Sequence, residues 1–419
     1  MIIHGGRVID PSQNLDEVCD IEIEEGKIKR LGHFKSFQNT IDASGLIVAP
    51  GLVDVHVHFR DPGQTEKEDL HTGALAAARG GFTSVICMGN TIPPMDSPEL
   101  VYEFYKKAKK EKIHLYTVAN LTKEMRGKVL TDLEALKKAG VVGISDDGFP
   151  VTEEELLLEG MYQCKKLDLP LSLHEEDPRF IGVPGINDGE ISKEMGYRGA
   201  SAYGEDLYIS RDVIFSRLTG CKVDIQHISS GYGVKLVELA RAFGGNVVAE
   251  ITPHHFTLTE DDVKTYGTLA KMNPPLRTKK DRELLLQGIK NGTITIIASD
   301  HAPHTEEEKN REYHKAPSGI TGLETALALG LRELVEKEII DLPQLISLMS
   351  TNPAKFYNLP GGTLKEGSSA DLVIFDPKKT WTYDKVFSRS KNSPFLGENL
   401  PGKIYYTICQ GDIVYRDKM

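Results

Sequence analysis

Cysteine is scarce in this chain and poorly spaced for a structural role. The five thiols, Cys19, Cys87, Cys164, Cys221 and Cys409, are scattered and odd in number, with no CxxC pair. That argues against a disulfide framework and against a thiolate zinc site, and for a reducing, cytosolic compartment. No stretch of about 18 apolar residues exists, so no membrane span is expected. The opening Met1-Ile2-Ile3-His4-Gly5-Gly6 lacks the basic and apolar regions of a signal peptide. Basic tracts are missing too, and the net charge is −11, which argues against a nucleic-acid partner. Neither a low-complexity linker nor a short internal repeat interrupts the chain. What remains is an ordinary globular composition, 40% hydrophobic and 26% charged over 419 residues. At about 150 residues per domain, that suits two or three domains, or one large barrel with an extra piece.

The ends of the chain share one pattern. Ile2-Ile3, Arg7 to Ile9, Asp20 to Ile23, Lys27 to Leu31 and Leu46 to Val48 are short apolar runs between turns, which suggests a small antiparallel sheet. Ala370 to Phe375, Ile404 to Ile408 and Ile413 to Tyr415 repeat the pattern. Neither end is large enough to bury a core alone, so residues 1–50 and 359–419 are expected to pair into one composite β-sandwich domain.

Residues 51–358 alternate strand and helix. Apolar strands are expected at 51–58, 83–88, 113–118, 141–145, 170–174, 222–228, 246–250 and 294–299, with helices such as 67–78, 98–110, 130–138, 153–166 and 230–242 between them. Eight β/α units in roughly 300 residues predict a closed (β/α)8 TIM-type barrel, an α/β fold whose chemistry sits at the carboxyl ends of the strands.

Those ends carry metal-ligand residues. In Val53-Asp54-Val55-His56-Val57-His58, period 2 places His56 and His58 on one face. Strand four ends in Ser145-Asp146-Asp147-Gly148, strand five in His174, strand six in His227 and strand eight in Asp300. Any one of these alone reads as a loop residue or a packed histidine. Together, four histidines and two aspartates at strand ends would each need a separate buried partner if no metal were held there. A histidine–carboxylate set without thiolate suits Zn²⁺, and also Mn²⁺, Fe²⁺ or Co²⁺.

Six ligands exceed the need of one tetrahedral zinc. A central carboxylate can bridge two ions about 3.5–4 Å apart. We expect His56, His58 and Asp300 on one ion, His174 and His227 on the other, and Asp147 as the bridge, with Asp146 as its rival. Two ions per subunit is the expected count, with a single ion as the alternative. A metal hydroxide is the natural nucleophile, since metal binding brings the pKa of water from about 15.7 to about 7. Asp300 is the best-placed base to pass its proton to a leaving nitrogen.

Around this centre, Arg60 offers a bidentate clamp for a carboxylate, against the alternative of an ion pair with Asp61 or a neighbouring acid. Asn90 and Asn273 offer amides to an imide or ureide edge, against a plain turn role. His304 could donate to a substrate carboxylate. Thr305 to Pro317 is acidic, then basic, without apolar periodicity; it reads as a mobile surface loop and a candidate lid.

These motifs resemble the dihydroorotases of the amidohydrolase superfamily, in the larger class I bacterial type. The residues that carry the likeness are His56 to Gly63, Asn90-Thr91 with Pro93, Asp146-Asp147-Gly148, His174, Gln226 to Ser229, Thr252 to His255, Asn273 to Arg277 and Ser299 to His304. The HxH pair marks only the superfamily. Phe59-Arg60-Asp61-Pro62-Gly63 and Asn273-Pro274-Pro275-Leu276-Arg277 are much more specific. The resemblance implies reversible cyclisation of N-carbamoyl-L-aspartate to L-dihydroorotate in pyrimidine synthesis. It also implies substrate contacts from His58, Arg60, Asn90, Asn273, His304, Ser318 and Gly319. As partners it suggests a second copy of the chain, or aspartate transcarbamoylase.

Two features depart from the pattern. No lysine stands between Val141 and Pro150, where many superfamily members carry a carboxylated bridging lysine, and Gly89 precedes Asn90 where proline is expected. Allantoinase and dihydropyrimidinase are the rival enzymes. A metal-free scaffold subunit is the rival of another class, and the complete ligand set speaks against it.

Overall fold

A computed structural model describes residues 1–34 and 40–417. The amino-terminal segment forms β1 (Ile2–Asp10), β2 (Leu15–Glu24), β3 (Lys27–Gly32), β4 (Thr40–Asp42) and β5 (Ile47–Pro50). Then come the parallel strands β6 (Leu52–Val57), β7 (Phe82–Cys87), β8 (His114–Thr117), β9 (Leu171–Leu173), β10 (Val223–Ile225), β11 (Val247–Ile251) and β12 (Ile296–Ile297). The carboxy-terminal segment adds β13 (Leu372–Asp376), the small pair β14 (Trp381–Thr382) and β15 (Asn399–Leu400), then β16 (Lys403–Cys409) and β17 (Asp412–Arg416).

Eight positions close the barrel, but the fourth is hardly a strand. The expected strand 141–145 is reduced to single bridges from Ile144 to Ala119 on one side and to Leu171 on the other. Gly143 explains this. A β-carbon there would lie 3.2 Å from the Tyr357 ring and 3.3 Å from the Pro170 carbonyl. Glycine permits that close approach but contributes no side chain to a ladder. Those bridges join the β6-β7-β8 sheet to the β9-to-β12 sheet. The other seam is a bridge from Val57 to His301, with the His58 backbone nitrogen 2.8 Å from the His301 carbonyl.

Termini and barrel share residues by alternation. One sheet runs β17-β16-β13-β5-β1-β2-β3, with β4 also on β1. The two ends of the chain meet where β5 pairs antiparallel with β13, Val48 against Ile374. Val8, Val48 and Ile374 face a core made within this sheet, whereas Ile9, Ala49 and Val373 join the barrel core. Both faces of the sheet are therefore apolar, and neither terminus has an exposed side on which to stand alone. The sheet is mixed rather than wholly antiparallel, since β1 runs parallel to β4 and β5. β5 leads straight into β6 through Gly51, where a β-carbon would collide with Thr83, so entry into the barrel sets its direction.

The five expected helices appear at Leu70–Arg79, Pro98–Ala108, Leu133–Ala139, Glu154–Leu167 and Gly231–Ala242. Sequence periodicity does not reveal the longest helix, Ala202–Thr219. It buries Glu205, Asp212 and Ser216 along with Ile209 and Val213, which blurs its apolar stripe. No helix among the described residues is long and apolar enough to cross a membrane.

Candidate active site

The strand ends converge as the barrel predicts. His56 is fully buried, and its Nδ1 lies 2.6 Å from Glu250 Oε1. Its Nε2 has no hydrogen-bond partner among the described residues and sits 3.6 Å from Asp147 and 3.7 Å from Asp300. His58 places Nε2 3.0 Å from Asp300 Oδ1, while its Nδ1 meets the Asn90 amide oxygen at 2.9 Å. His174 holds Glu176 through Nε2 at 2.9 Å and turns Nδ1 toward Asp147, 3.5 Å away. That same Nδ1 is 3.0 Å from His227 Nε2. In His56, His58 and His174 alike, one ring nitrogen is fixed by an outer oxygen and the other points inward.

Two donor groups emerge, His56–His58–Asp300 and His56–Asp147–His227, each with its ligand atoms within 4.8 Å of one another. Outer carboxylates and amides that orient inward imidazoles are the usual second layer of a metal centre. The buried, unpartnered His56 Nε2, and two imidazole nitrogens facing each other at 3.0 Å, are arrangements that a shared cation satisfies. The residues fit a metal.

Charge agrees with this. Burial works against ionising Asp147, but the imidazoles of His56, His174 and His227 outweigh it and hold the carboxyl well below its ordinary range. Asp300 is buried too, and His58, His56 and His227 lower it in the same way. Burial opposes charge on His56, yet Glu250 and Asp147 raise it well above normal. The rival aspartate faces elsewhere. Asp146 accepts from the Leu121 nitrogen at 2.8 Å and the Thr122 hydroxyl at 2.5 Å, outside the cluster.

A cavity of about 460 Å³ opens over the cluster. Arg60 lines it. The ion pair with Asp61 does not form, because Asp61 is held by Lys107 at 2.6 Å. Among the described residues no carboxylate makes a salt bridge with Arg60, whose nearest polar neighbours are the Pro303 carbonyl at 3.4 Å and His304 Nε2 at 3.5 Å. Asn273 and Ser318 line the cavity together, with the Ser318 hydroxyl 2.9 Å from the Asn273 amide oxygen. Gly319 lies beside them.

Two side chains are engaged otherwise than expected. Asn90 spans His58 and Asp147, donating to the latter at 2.9 Å, so its amide braces the cluster. His304 Nε2 lies 2.8 Å from the Ser318 carbonyl. Burial, then Arg60, Lys309 and Lys67, push its pKa down to about 2, so its ring is neutral. The segment 305–317 also departs from a plain surface loop. Thr305 caps a short helix, Glu306–Lys309, and Lys309, Tyr313 and Ala316 are buried.

Comparison with known proteins now decides the family. A family model described as dihydro-orotase-like matches residues 45–232. The chain is 54% identical to a dihydroorotase of Clostridioides difficile (strain 630), covering 99% of both chains. It is 49% identical to one of Streptococcus pneumoniae serotype 4, covering 99% of this chain and 100% of that one. The chain belongs to the dihydroorotase family. Among solved structures, an L-hydantoinase (dihydropyrimidinase) from Arthrobacter aurescens matches with a TM-score of 0.89 at 26% identity, over 100% of this chain and 96% of that one. A D-hydantoinase at 24% identity and TM-score 0.87 shares the fold.

Sequence reasoning assigned no role to several residues that shape this dihydroorotase-family site, although the motifs Thr252 to His255 and Asn273 to Arg277 carry the likeness. Glu250 was read only as the end of strand seven, yet it accepts from His56 and, at 3.1 Å, from the His227 backbone. Its signal was a lone acid at the end of an apolar run. Arg277 is buried against Glu205 at 3.0 Å, and Glu205 in turn holds the Ser229 and Ser230 nitrogens just after His227. His255 bonds the Pro274 carbonyl at 3.0 Å and so steadies the turn that carries Asn273. Asn392 arrives from the far end of the chain, where no local pattern marks it.

Proposed function

We propose that this protein catalyses the reversible, metal-dependent cyclisation of N-carbamoyl-L-aspartate to L-dihydroorotate. The observation that carries the reading is Arg60, a guanidinium beside the histidine–aspartate cluster that faces the cavity without a salt-bridged carboxylate among the described residues. Dihydroorotate brings a carboxylate. A hydantoin or dihydropyrimidine ring without one would leave Arg60 unmatched, which is costly. Full-length identity with dihydroorotases at 54% and 49% supports the same choice over the hydantoinases.

His56, His58 and Asp300 would hold one ion, and His174 and His227 a second, with Asp147 between them. We take both ions to be Zn²⁺, the metal that an all-histidine-and-carboxylate set suits well. Such ions lower the pKa of water and polarise a carbonyl oxygen. The chain's own part is orientation and proton transfer. Arg60 grips the substrate carboxylate, and Asn273, Ser318, Gly319, Asn90 and His304 border the ring. Asp300, held by His58 at 3.0 Å, takes a proton from water and gives it to the ring nitrogen as the C–N bond breaks. In the other direction it takes that proton back as the ring closes.

The same reading places the enzyme in pyrimidine synthesis in the cytoplasm, in keeping with five free, buried thiols. It divides the chain into a barrel at 51–358 and a composite β-domain from 1–50 and 359–419. Two partners follow from the family. One is a second copy, for which Tyr203, Leu207, Ile214 and Leu218 form an exposed apolar line along one helix; the other is aspartate transcarbamoylase.

The experiment is hydrolysis of L-dihydroorotate by purified protein, with metal measured on the same sample. Turnover that a chelator abolishes and zinc restores is expected. Bound metal without turnover would redirect the search to hydantoin and allantoin rings. Failure to bind metal even when zinc is supplied would favour a scaffold.

A further inference from the structure

We propose that Lys271, Lys309 and Asn392 are positioning residues that clasp residues 313–319 and so fix the Ser318–Gly319 wall of the active-site cavity. The proposal rests on the reading that this cavity takes dihydroorotate and carbamoyl aspartate.

The two lysines are anomalous. Lys271 is 1% exposed and Lys309 3%, whereas lysine is almost never fully buried without a charged partner. Neither makes a salt bridge among the described residues. Their ammonium groups bond to backbone instead. Lys271 Nζ donates to the carbonyls of Tyr313 and Ala316, both at 2.7 Å. Lys309 Nζ donates to those of Pro317 at 3.0 Å and Gly319 at 3.1 Å. Four carbonyls of one seven-residue segment thus converge on two buried cations. Asn392, from the carboxy-terminal segment, completes the arrangement. Its amide nitrogen donates to Gly319 at 3.1 Å and Ala302 at 3.0 Å, and its oxygen accepts from the His304 nitrogen at 3.0 Å.

A salt bridge would have tied down one flexible carboxylate side chain. Bonds to four carbonyls within seven residues tie down the backbone itself, which a cavity wall requires. Of the segment's own backbone nitrogens, Lys315 and Ala316 donate to the Glu312 carbonyl at 2.8 and 3.0 Å, and Gly319 donates to the Lys271 carbonyl at 2.8 Å. Burying the ammoniums has a cost: desolvation brings Lys271 down to about 8, and desolvation with Lys271 nearby brings Lys309 down to about 7. A fold that needed only a hydrophobic plug here could use leucine. The carbonyl bonds are what the lysines add, and their product is the placement of Ser318, which meets Asn273 and His304 across the cavity.

The test uses the holoenzyme carrying Lys309→Met or Asn392→Ala, assayed on L-dihydroorotate, with amide hydrogen exchange followed over residues 313–319. Losing the charged donor in Lys309→Met corresponds to about a tenfold rise in KM, and losing the neutral amide in Asn392→Ala to about a threefold to tenfold rise, with kcat held within about threefold in both. Exchange should quicken in 313–319 and stay unchanged in the helix Ala202–Thr219. An unchanged KM with unchanged exchange would overturn the proposal. So would equal losses in kcat and general loosening of both regions, the signature of a merely structural role. Asn392→Ala leaves both buried cations in place and remains informative if Lys309→Met does not fold. If the wild-type protein fails to turn over dihydroorotate, the functional reading falls, while the exchange comparison still decides whether the clasp exists.

Discussion

Glu250 and His56 stand 2.6 Å apart inside the barrel, from its seventh and first strands. The carboxylate fixes which imidazole nitrogen faces outward, and so aims His56 Nε2 at Asp147 and Asp300. The same oxygen accepts from the His227 backbone, whose φ of 32° is a conformation that needs such support. Glu250 therefore holds one histidine from each candidate metal position.

Glu250→Gln keeps the volume and removes the charge. Outer partners of this kind are worth about 10–100-fold in metal affinity, and that is the expected loss here. Competition with a graded chelator series would measure it. A variant that keeps its metal as firmly as the wild type would deny Glu250 this role.

Asp300→Asn separates holding metal from moving protons. The amide can still lie near His58 and offer an oxygen, but it cannot accept water's proton. Turnover should fall by about 10²–10⁴-fold, the range for general acid–base groups, with part of the metal retained. Activity near that of the wild type would remove Asp300 from proton transfer.

Most of the candidate histidine–aspartate cluster was legible because strand periodicity and barrel geometry act together. Period 2 put His56 and His58 on one face, and the rule of carboxyl ends selected Asp147, His174, His227 and Asp300 from many acids and histidines. The choice between Asp146 and Asp147 needed the Thr122 hydroxyl, which is distant in sequence pattern though close in space. Strand four was legible as a place but not as a strand, since Gly143 yields its ladder to a close approach. Lys309 lies in the charged stretch Thr305 to Pro317, which reads as a surface loop, and only three dimensions reveal the carbonyls that surround it. Asn392 carried no local signal at all.

Acid should destabilise the fold through His254. Burial lowers its pKa to about 4, and its Nε2 has no hydrogen-bond partner among the described residues. A free histidine titrates near 6.5. Between these values the unfolded chain binds a proton that the folded protein does not, so stability falls as pH drops below about 6.5, by about 1.4 kcal/mol per pH unit. At pH 5 this amounts to about 2 kcal/mol from this group. Denaturant midpoints for wild type and His254→Gln at pH 7 and pH 5 would isolate it. The variant should lose less on acidification, and identical losses would mean that His254 takes up its proton in the folded state.

Arg60 gives the sharpest test of specificity. Its guanidinium is half-buried beside the cluster, where desolvation lowers its pKa and Asp300, Asp147 and Glu308 partly restore it. Since Asp61 is engaged by Lys107, the clamp is free for a ligand's carboxylate. Arg60→Ala should weaken dihydroorotate by about 10–100-fold, the worth of a hydrogen bond to a charged group. Dihydrouracil, the same ring without the carboxylate, loses no such bond and should change little. Arg60→Lys keeps the charge but not the fork, and should recover only part of the loss. The comparison is one of ratios between two rings on one variant, so a general fall in activity cancels. If both rings suffer equally, Arg60 supports the site rather than reading the substrate, and the preference for dihydroorotate over a hydantoin must come from another wall of the cavity.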